Sequence, residues 1–167
     1  MKTAGQDVVK ELGYLTLGSR LKRLGERMQA DVSRLIKREG QNVHAGLMPT
    51  LGILAERGPT TVGDLAMALG IAQPGVTRML VQLKQQKLVT SGKTGKDQRQ
   101  RLIALTEAGQ HVIDATRDEV WPRIERALAE VCKGLDGPFI EQLAAIENAL
   151  EKTPLDQRAA KKMKAVK

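Results

Sequence analysis

Apolar side chains recur at spacings of three and four residues along the N-terminal part of the chain. After Tyr14 they fall at Leu17, Leu21, Leu24, Met28, Val32 and Leu35. This spacing predicts a long amphipathic helix that begins near Tyr14 and ends near Gly40. A shorter helix is predicted from about Pro49 to Gly58, because glycine accommodates a left-handed cap and the following Pro59 cannot continue the helix.

Two further helices, separated by a short turn, are predicted next. Thr61 is placed as an N-cap, and Asp64 follows in the first turn, where the helix dipole favours a carboxylate. This helix closes with Gly70. The next helix begins at Gln73-Pro74, because proline is tolerated in a first helical turn. A helix, a glycine-containing turn and a second helix together make a helix-turn-helix.

Short β-prone runs follow the helix-turn-helix. Residues 88–90 and 102–105 flank a basic loop rich in turn-forming residues, which predicts a β-hairpin wing. Thr106 is then expected to cap a long helix with a bend at Pro122. The predicted fold is mainly α with a small β-hairpin wing, which is a winged helix-turn-helix.

Amphipathic helices at both ends of the chain have more apolar surface than a small winged core can cover. A last helix is expected to open near Pro138, and its excess apolar surface predicts a partner subunit. We therefore divide the chain into four segments. They are an N-terminal dimerisation helix (1–48), a winged domain (49–106), C-terminal dimerisation helices (107–151) and a mobile basic tail (152–167).

The distribution of charge favours an anionic partner. The chain has 27 Lys and Arg against 19 Asp and Glu, a formal net charge of +8. The excess is concentrated in residues 61–105, which carry 7 basic and 2 acidic side chains. One Trp, one Tyr and one Phe leave little aromatic surface for stacking single-stranded bases, so double-stranded DNA is the expected partner.

Several other classes of protein are disfavoured by the sequence. A membrane span needs about 18 apolar residues in a row, and none is present, so a cytoplasmic protein without membrane contact is expected. No nucleophile–base pair, carboxylate dyad or glycine-rich phosphate loop is present, so neither an enzyme nor a cofactor is expected.

Metal binding and cysteine chemistry are also disfavoured. His44 and His111 cannot supply a closed zinc site with its usual partners, so no metal is expected. A site that adds Cys132 stays an alternative if the fold gathers the three residues. Cys132 is expected to be a buried small side chain, with a redox switch as the alternative.

The helix that begins at Gln73 has an apolar face and a polar face. Val76, Met79, Leu80 and Leu83 cluster on one side. In the major groove arginine can pair with guanine, glutamine with adenine, and a threonine methyl can contact the thymine methyl. The alternative is an ordinary solvated polar face. The candidate DNA-contacting residues of this helix are Gln73, Pro74, Thr77, Arg78 and Gln82.

The wing carries a second set of candidates. Four cations lie within it, at Lys93, Lys96, Arg99 and Arg101, and cations there suit DNA phosphates or the minor groove. Asp97 is expected to orient the Arg99 guanidinium. A merely solubilising loop is the alternative interpretation.

These residues resemble the MarR family of bacterial transcriptional regulators. The similarity lies in LAERGPTTVGDLAMALGIAQPGVTRMLVQLKQQKLV, followed by DQRQRLIALTEAG. It includes the Gly58-Pro59 break, Pro74, Val76-Thr77-Arg78 and the Asp97/Arg99 pair. Residues 14–150 fit the family's layout. Two departures are Ala72, where relatives often have a capping serine, and Gln98, where many have a second wing arginine.

The resemblance implies a homodimer in which the first and the last two helices of each chain interlock. It implies a DNA-binding regulator, expected to be a repressor, on a near-palindromic operator with half-sites about 34–36 Å apart. It also implies a small-molecule effector that releases the DNA. The alternative is a winged-helix module that binds another protein without reading a DNA sequence.

Overall fold

The computed structural model describes residues 7–93 and 101–160. The chain begins with helix α1 (Val8–Glu11) and a 3-10 turn (Gly13–Thr16), and continues as helix α2 (Leu17–Arg38). The long helix predicted from Tyr14 therefore begins three residues later. Gly13 has a φ of 56°, which interrupts regular α-helix before α2, and Gly40 at 81° follows its end as expected.

Three helices form the predicted helix-turn-helix and the helix before it. They are α3 (Met48–Arg57), α4 (Val62–Leu69) and α5 (Gln73–Gln85). The Asp64 backbone N–H donates to the Thr61 hydroxyl at 3.1 Å, and Gly70 caps the other end of α4 in the left-handed conformation. Local sequence signals alone determine these boundaries.

A small antiparallel sheet forms the wing. Its strands are β1 (Thr60–Thr61), β2 (Val89–Lys93) and β3 (Arg101–Leu105), in the order β1-β3-β2. The predicted hairpin is confirmed, with Val89 opposite Leu105. Strand β1 was not predicted. Thr61 is both the end of this strand and the N-cap of α4, so the sheet is joined directly to the helix-turn-helix.

The C-terminal part of the described chain is helical. Its elements are α6 (Glu107–Glu119), α7 (Trp121–Val131), α8 (Phe139–Lys152) and α9 (Leu155–Ala160). The prediction of one long helix bent at Pro122 was wrong. Pro122 lies in the first turn of α7, where its missing N–H needs no partner, and the chain forms two helices that meet at Val120.

The expected mobile tail was wrong for residues 155–160, which form α9. Asp156 is 2% exposed and forms an ion pair with Arg38 of α2 at 2.7 Å. The Leu155 N–H donates to the Asp31 carboxylate at 2.7 Å. These partners hold the polar segment against the helices. Residues 161–167 lie outside the described residues.

One apolar cluster joins the winged segment to the helices at both chain ends. Its fully buried members come from α2, α3, α4, α5, α6 and α8, and include Leu35, Leu51, Leu65, Val76, Leu83, Ile113 and Leu150. The buried face of α5 therefore belongs to the same core as the helices at both ends of the chain. Within the described ranges, no helix is both long and apolar enough to cross a membrane.

Candidate nucleic-acid interface

Helix α5 has one buried face and one exposed face. Val76 and Leu83 are fully buried and Leu80 is 4% exposed, where α5 packs against α4 and the core. The five candidates from the sequence are all exposed: Gln73, Pro74, Thr77, Arg78 and Gln82. The structure thus gathers them on the side of α5 that faces away from the protein.

Arg78 is available to an external partner. It is exposed, and it forms no ion pair with the part of the chain that the structure describes. Binding a base or a phosphate would therefore break no charge pair with the described residues. Thr77 differs, because its hydroxyl donates to the Gln73 carbonyl at 3.0 Å.

One exposed residue of this face was missed by the sequence reasoning. Val81 is 50% exposed and lies one turn beyond Thr77 on the outer side of α5. A helical wheel could have found it, because it lies about 140° from the buried Val76 at 100° per residue.

The open end of the hairpin carries two of the wing candidates. Lys93 and Arg101 are paired in the sheet register, and Arg101 is exposed. Lys96, Asp97 and Arg99 lie outside the described residues, so the orienting role of Asp97 stays a prediction.

Two lysines that were not predicted as DNA-contacting residues lie near the junction of α5 and β2. The Lys84 ammonium donates to the Ser91 hydroxyl at 3.2 Å, which joins the last turn of α5 to β2. Lys87 is exposed and has a φ of 58°, unusual for a residue with a side chain. Its N–H donates to the Lys84 carbonyl at 2.9 Å, and the Leu88 N–H donates to the Leu83 carbonyl at 2.9 Å. This pattern is a Schellman motif, and it turns the chain directly from α5 into β2.

The start of α5 has no side-chain cap, as expected from the alanine at position 72. Ala72 is the N-cap residue, and no side chain bonds to the first turn there. The N-terminus of a helix has unpaired N–H groups and a partial positive charge, both of which favour an anion. A DNA phosphate is an anion of the kind that this end of α5 would attract.

The possible sensor residues are not gathered into a site. Cys132 is exposed, so the expectation that it is buried was wrong, because it caps α7 beyond the last residue of the apolar stripe. His44 accepts the Gly46 N–H at 3.1 Å, and His111 is exposed on α6. No group of three or more potential metal ligands occurs among the described residues.

Comparison with known proteins supports the assignment of the fold. The MarR family model matches residues 48–100, which span α3 to the wing. A mutant MarR from E. coli, solved with operator DNA, matches with a TM-score of 0.59 and 19% identity, over 88% of this chain and 98% of that one. MepR from S. aureus, solved with DNA, matches with a TM-score of 0.57 and 24% identity, over 79% of this chain and 93% of that one.

A third structure has the same architecture. BpsR from Bordetella bronchiseptica, described as regulated in its DNA binding by 6-hydroxynicotinic acid, matches with a TM-score of 0.56. The two sequences are 24% identical, and the match covers 81% of this chain and 91% of that one. The winged segment therefore matches the MarR family model, and most of the chain shares the fold of these three solved structures.

Proposed function

We propose that this protein is a transcriptional regulator that binds a near-palindromic DNA operator as a homodimer and acts as a repressor. The observation that carries the proposal is the outer face of α5. Its polar side chains are exposed together, beside a basic hairpin, on a segment with 7 basic and 2 acidic residues. A solvated polar face alone would not explain this concentration of positive charge.

The chemistry of the face suits the major groove of DNA. The groove is about 12 Å wide and admits one α-helix. Arg78 would pair with a guanine edge and Gln82 with an adenine edge, while the start of α5 and the hairpin cations contact phosphates. Lys96 and Arg99 belong to the same proposal, as wing contacts to the backbone or minor groove.

Exposed apolar side chains at the N-terminus support the dimer. Their exposure ranges from 44% to 87%, and they are Val8, Leu12, Tyr14, Leu15 and Leu21. Several large apolar side chains exposed within one short stretch of chain, the N-terminal apolar patch, are typical of a surface that another protein covers. A second copy with two-fold symmetry would place two α5 helices about 34–36 Å apart, on one side of the duplex.

A groove between α3 and α6 supports release by a small molecule. It has a volume of about 590 Å³, and its wall includes Ile53, Arg117 and Trp121. The Arg117 guanidinium lies 5.7 Å from the centre of the Trp121 ring. The wall also includes Glu56, so it suits a flat molecule whose acidic group meets Arg117 and whose hydrogen-bond donor meets the Glu56 carboxylate. We place the effector there.

The proposal is tested by selecting genomic DNA fragments with the purified protein and sequencing them. We expect fragments with two inverted half-sites, and affinity that falls linearly with salt on a logarithmic scale. Replacing Arg78 with Ala should weaken binding by about 1–3 kcal/mol. Arg126→Ala in α7 is the matched control, because this arginine is exposed on a helix that packs against α6, α8 and α9, and the variant should bind DNA normally.

Two results would count against the proposal. The first is failure to bind any duplex at low salt while a protein partner co-purifies, since that behaviour belongs to a protein-binding winged helix. The second is equal loss of affinity for Arg78→Ala and Arg126→Ala, which would remove α5 from the binding surface.

A further inference from the structure

The outer face of α5 carries a narrow apolar ridge among its polar side chains. The ridge consists of Pro74, Thr77 and Val81, at spacings of three and four residues, which place them along one side of the helix. All three are exposed, and Val81 is 50% exposed. The ridge is separated from the core, since Val76 and Leu80 are buried on the other side.

The hydroxyl of Thr77 is turned inward along the helix. It donates to the Gln73 carbonyl at 3.0 Å, which is an intrahelical bond of the i to i−4 kind. The methyl group is therefore the part of this side chain left to meet a partner. Together with Val81 and Pro74, it makes the ridge apolar throughout, although threonine is counted as a polar residue.

The edges of the base pairs in the major groove offer one group that matches such a ridge. Each base pair there presents donors and acceptors, and thymine alone adds a methyl group. Contact of this methyl with an apolar side chain removes apolar surface from water and needs no hydrogen bond. Arg78 and Gln82 lie beside the ridge, so polar contacts would fix the register in which the methyl groups meet.

Resting on the proposed function, we propose that Pro74, Thr77 and Val81 read thymine methyl groups in each operator half-site. Thr77 is a specificity-determining residue through its methyl group, and Val81 continues the same contact one turn further along α5. The operator should then contain thymine at fixed positions opposite the first two turns of α5.

The test uses uracil, which is thymine without the methyl group. A duplex recovered by selection from random sequences is synthesised with deoxyuridine at each thymine in turn. Burial of one methyl group corresponds to about a fourfold change in affinity. We expect about a fourfold loss for each half-site that carries uracil at a position opposite Thr77, and no loss at thymines outside the half-sites.

Two matched variants separate the methyl from the hydroxyl. Thr77→Val keeps the methyl and removes the hydroxyl, so it should keep the sensitivity to uracil. Thr77→Ser keeps the hydroxyl and removes the methyl, so it should bind the thymine duplex about fourfold more weakly and lose the sensitivity. Val81→Ala should lose sensitivity at a different thymine. Position 77 is exposed, and thermal melting checks that each variant is folded.

Distinct results would overturn the inference. If the protein binds its selected duplex and no uracil changes the affinity, thymine methyl reading is wrong while DNA binding stands. If Thr77→Ser keeps the uracil sensitivity and Thr77→Val loses affinity, the hydroxyl is the reading group and the inference is wrong. If no duplex is bound at all, the proposed function fails and the inference fails with it.

Discussion

Gly109 lies in the first turn of α6, at a place where the backbone of another element leaves no room for a side chain. A Cβ atom added there would lie 2.1 Å from the Leu88 carbonyl oxygen. The Thr106 hydroxyl donates to the Lys87 carbonyl at 2.7 Å, and the Thr106 N–H donates to the Leu88 carbonyl at 3.0 Å. The start of α6 is thus held tightly against the turn that follows α5.

Replacement of Gly109 with Ala should destabilise the protein by about 1–3 kcal/mol or more. The added Cβ would clash with the Leu88 backbone, and no change of side-chain rotamer can relieve such a clash. Chemical denaturation measures the free energy of unfolding. Gly25→Ala is the control. It lies within α2, where an added Cβ meets nothing within 4 Å, and alanine should stabilise the helix by about 0.5–1 kcal/mol. Equal stability of the two variants would show that the close approach at Gly109 does not exist.

The buried ion pair of Arg20 and Glu147 shows what a sequence cannot reveal at this scale. The Arg20 Nε donates to a Glu147 carboxylate oxygen at 3.1 Å, and both residues are buried. The carboxylate raises the pKa of the Arg20 guanidinium, because the pair stabilises the charged form. Each residue looks like an ordinary charge on an amphipathic helix. The pairing depends on how α2 and α8 meet, 127 residues apart in sequence.

At the scale of elements, the N-terminus of α5 lacks the side-chain cap that the helices after it and before it, α6 and α4, each have. Thr61 and Thr106 each cap their helix with a side-chain oxygen, but Ala72 cannot. Replacement of Ala72 with Ser should therefore stabilise the protein by about 0.5–2 kcal/mol. The midpoint of thermal unfolding, followed by circular dichroism, measures the change.

A matched substitution checks that the gain at Ala72 comes from capping. Ala68→Ser places the same side chain at an exposed position inside α4, where serine has a lower helix propensity than alanine. This control should lose up to about 0.7 kcal/mol. A similar change in both variants would contradict the interpretation of Ala72 as an uncapped N-terminus.

Elements defined by local signals were predicted from the sequence, and elements that depend on distant partners were not. The caps at Thr61, Gly70 and Thr106 lie next to the helices that they bound. Strand β1 has two residues and exists because it pairs with β3, about 40 residues away. Helix α9 is held by Asp31 and Arg38 of α2, which bind Leu155 and Asp156. The sequence of a polar tail does not indicate such partners.

At the scale of the whole molecule, the proposed dimer makes a prediction about the N-terminal apolar patch. Leu15 is 87% exposed. Its replacement with Glu should dissociate the dimer, because a second copy would have to bury a charge. Sedimentation velocity measures the mass. Loss of the second half-site contact should also weaken operator binding by about 100-fold or more.

The control for this prediction is Met67→Glu. Met67 is 77% exposed on α4, outside the patch, so the same charge there should leave the mass unchanged. A dimer that survives Leu15→Glu, or a protein that is already a monomer, would show that the apolar patch has another purpose.

The candidate site was predictable from the sequence to the extent that one helix defines it. The 3.6-residue period placed five candidates on the exposed face of α5, because the buried face is marked clearly by Val76, Leu80 and Leu83. The candidate set left out the exposed Val81. Thr77 was a candidate through its methyl group, and the structure adds that its hydroxyl is bonded within the helix.

Strand β3 lies between β1 and β2 in the sheet. Its five residues therefore pair on one side with the segment just before α4 and on the other side with the segment just after α5. Through Thr106 the same strand leads directly into α6. A tilt of α6 would therefore move the hairpin, α4 and α5 together as one body. In the proposed dimer, an effector bound far from the DNA would then weaken binding by changing the distance between the two α5 helices, with no change in the shape of either winged domain.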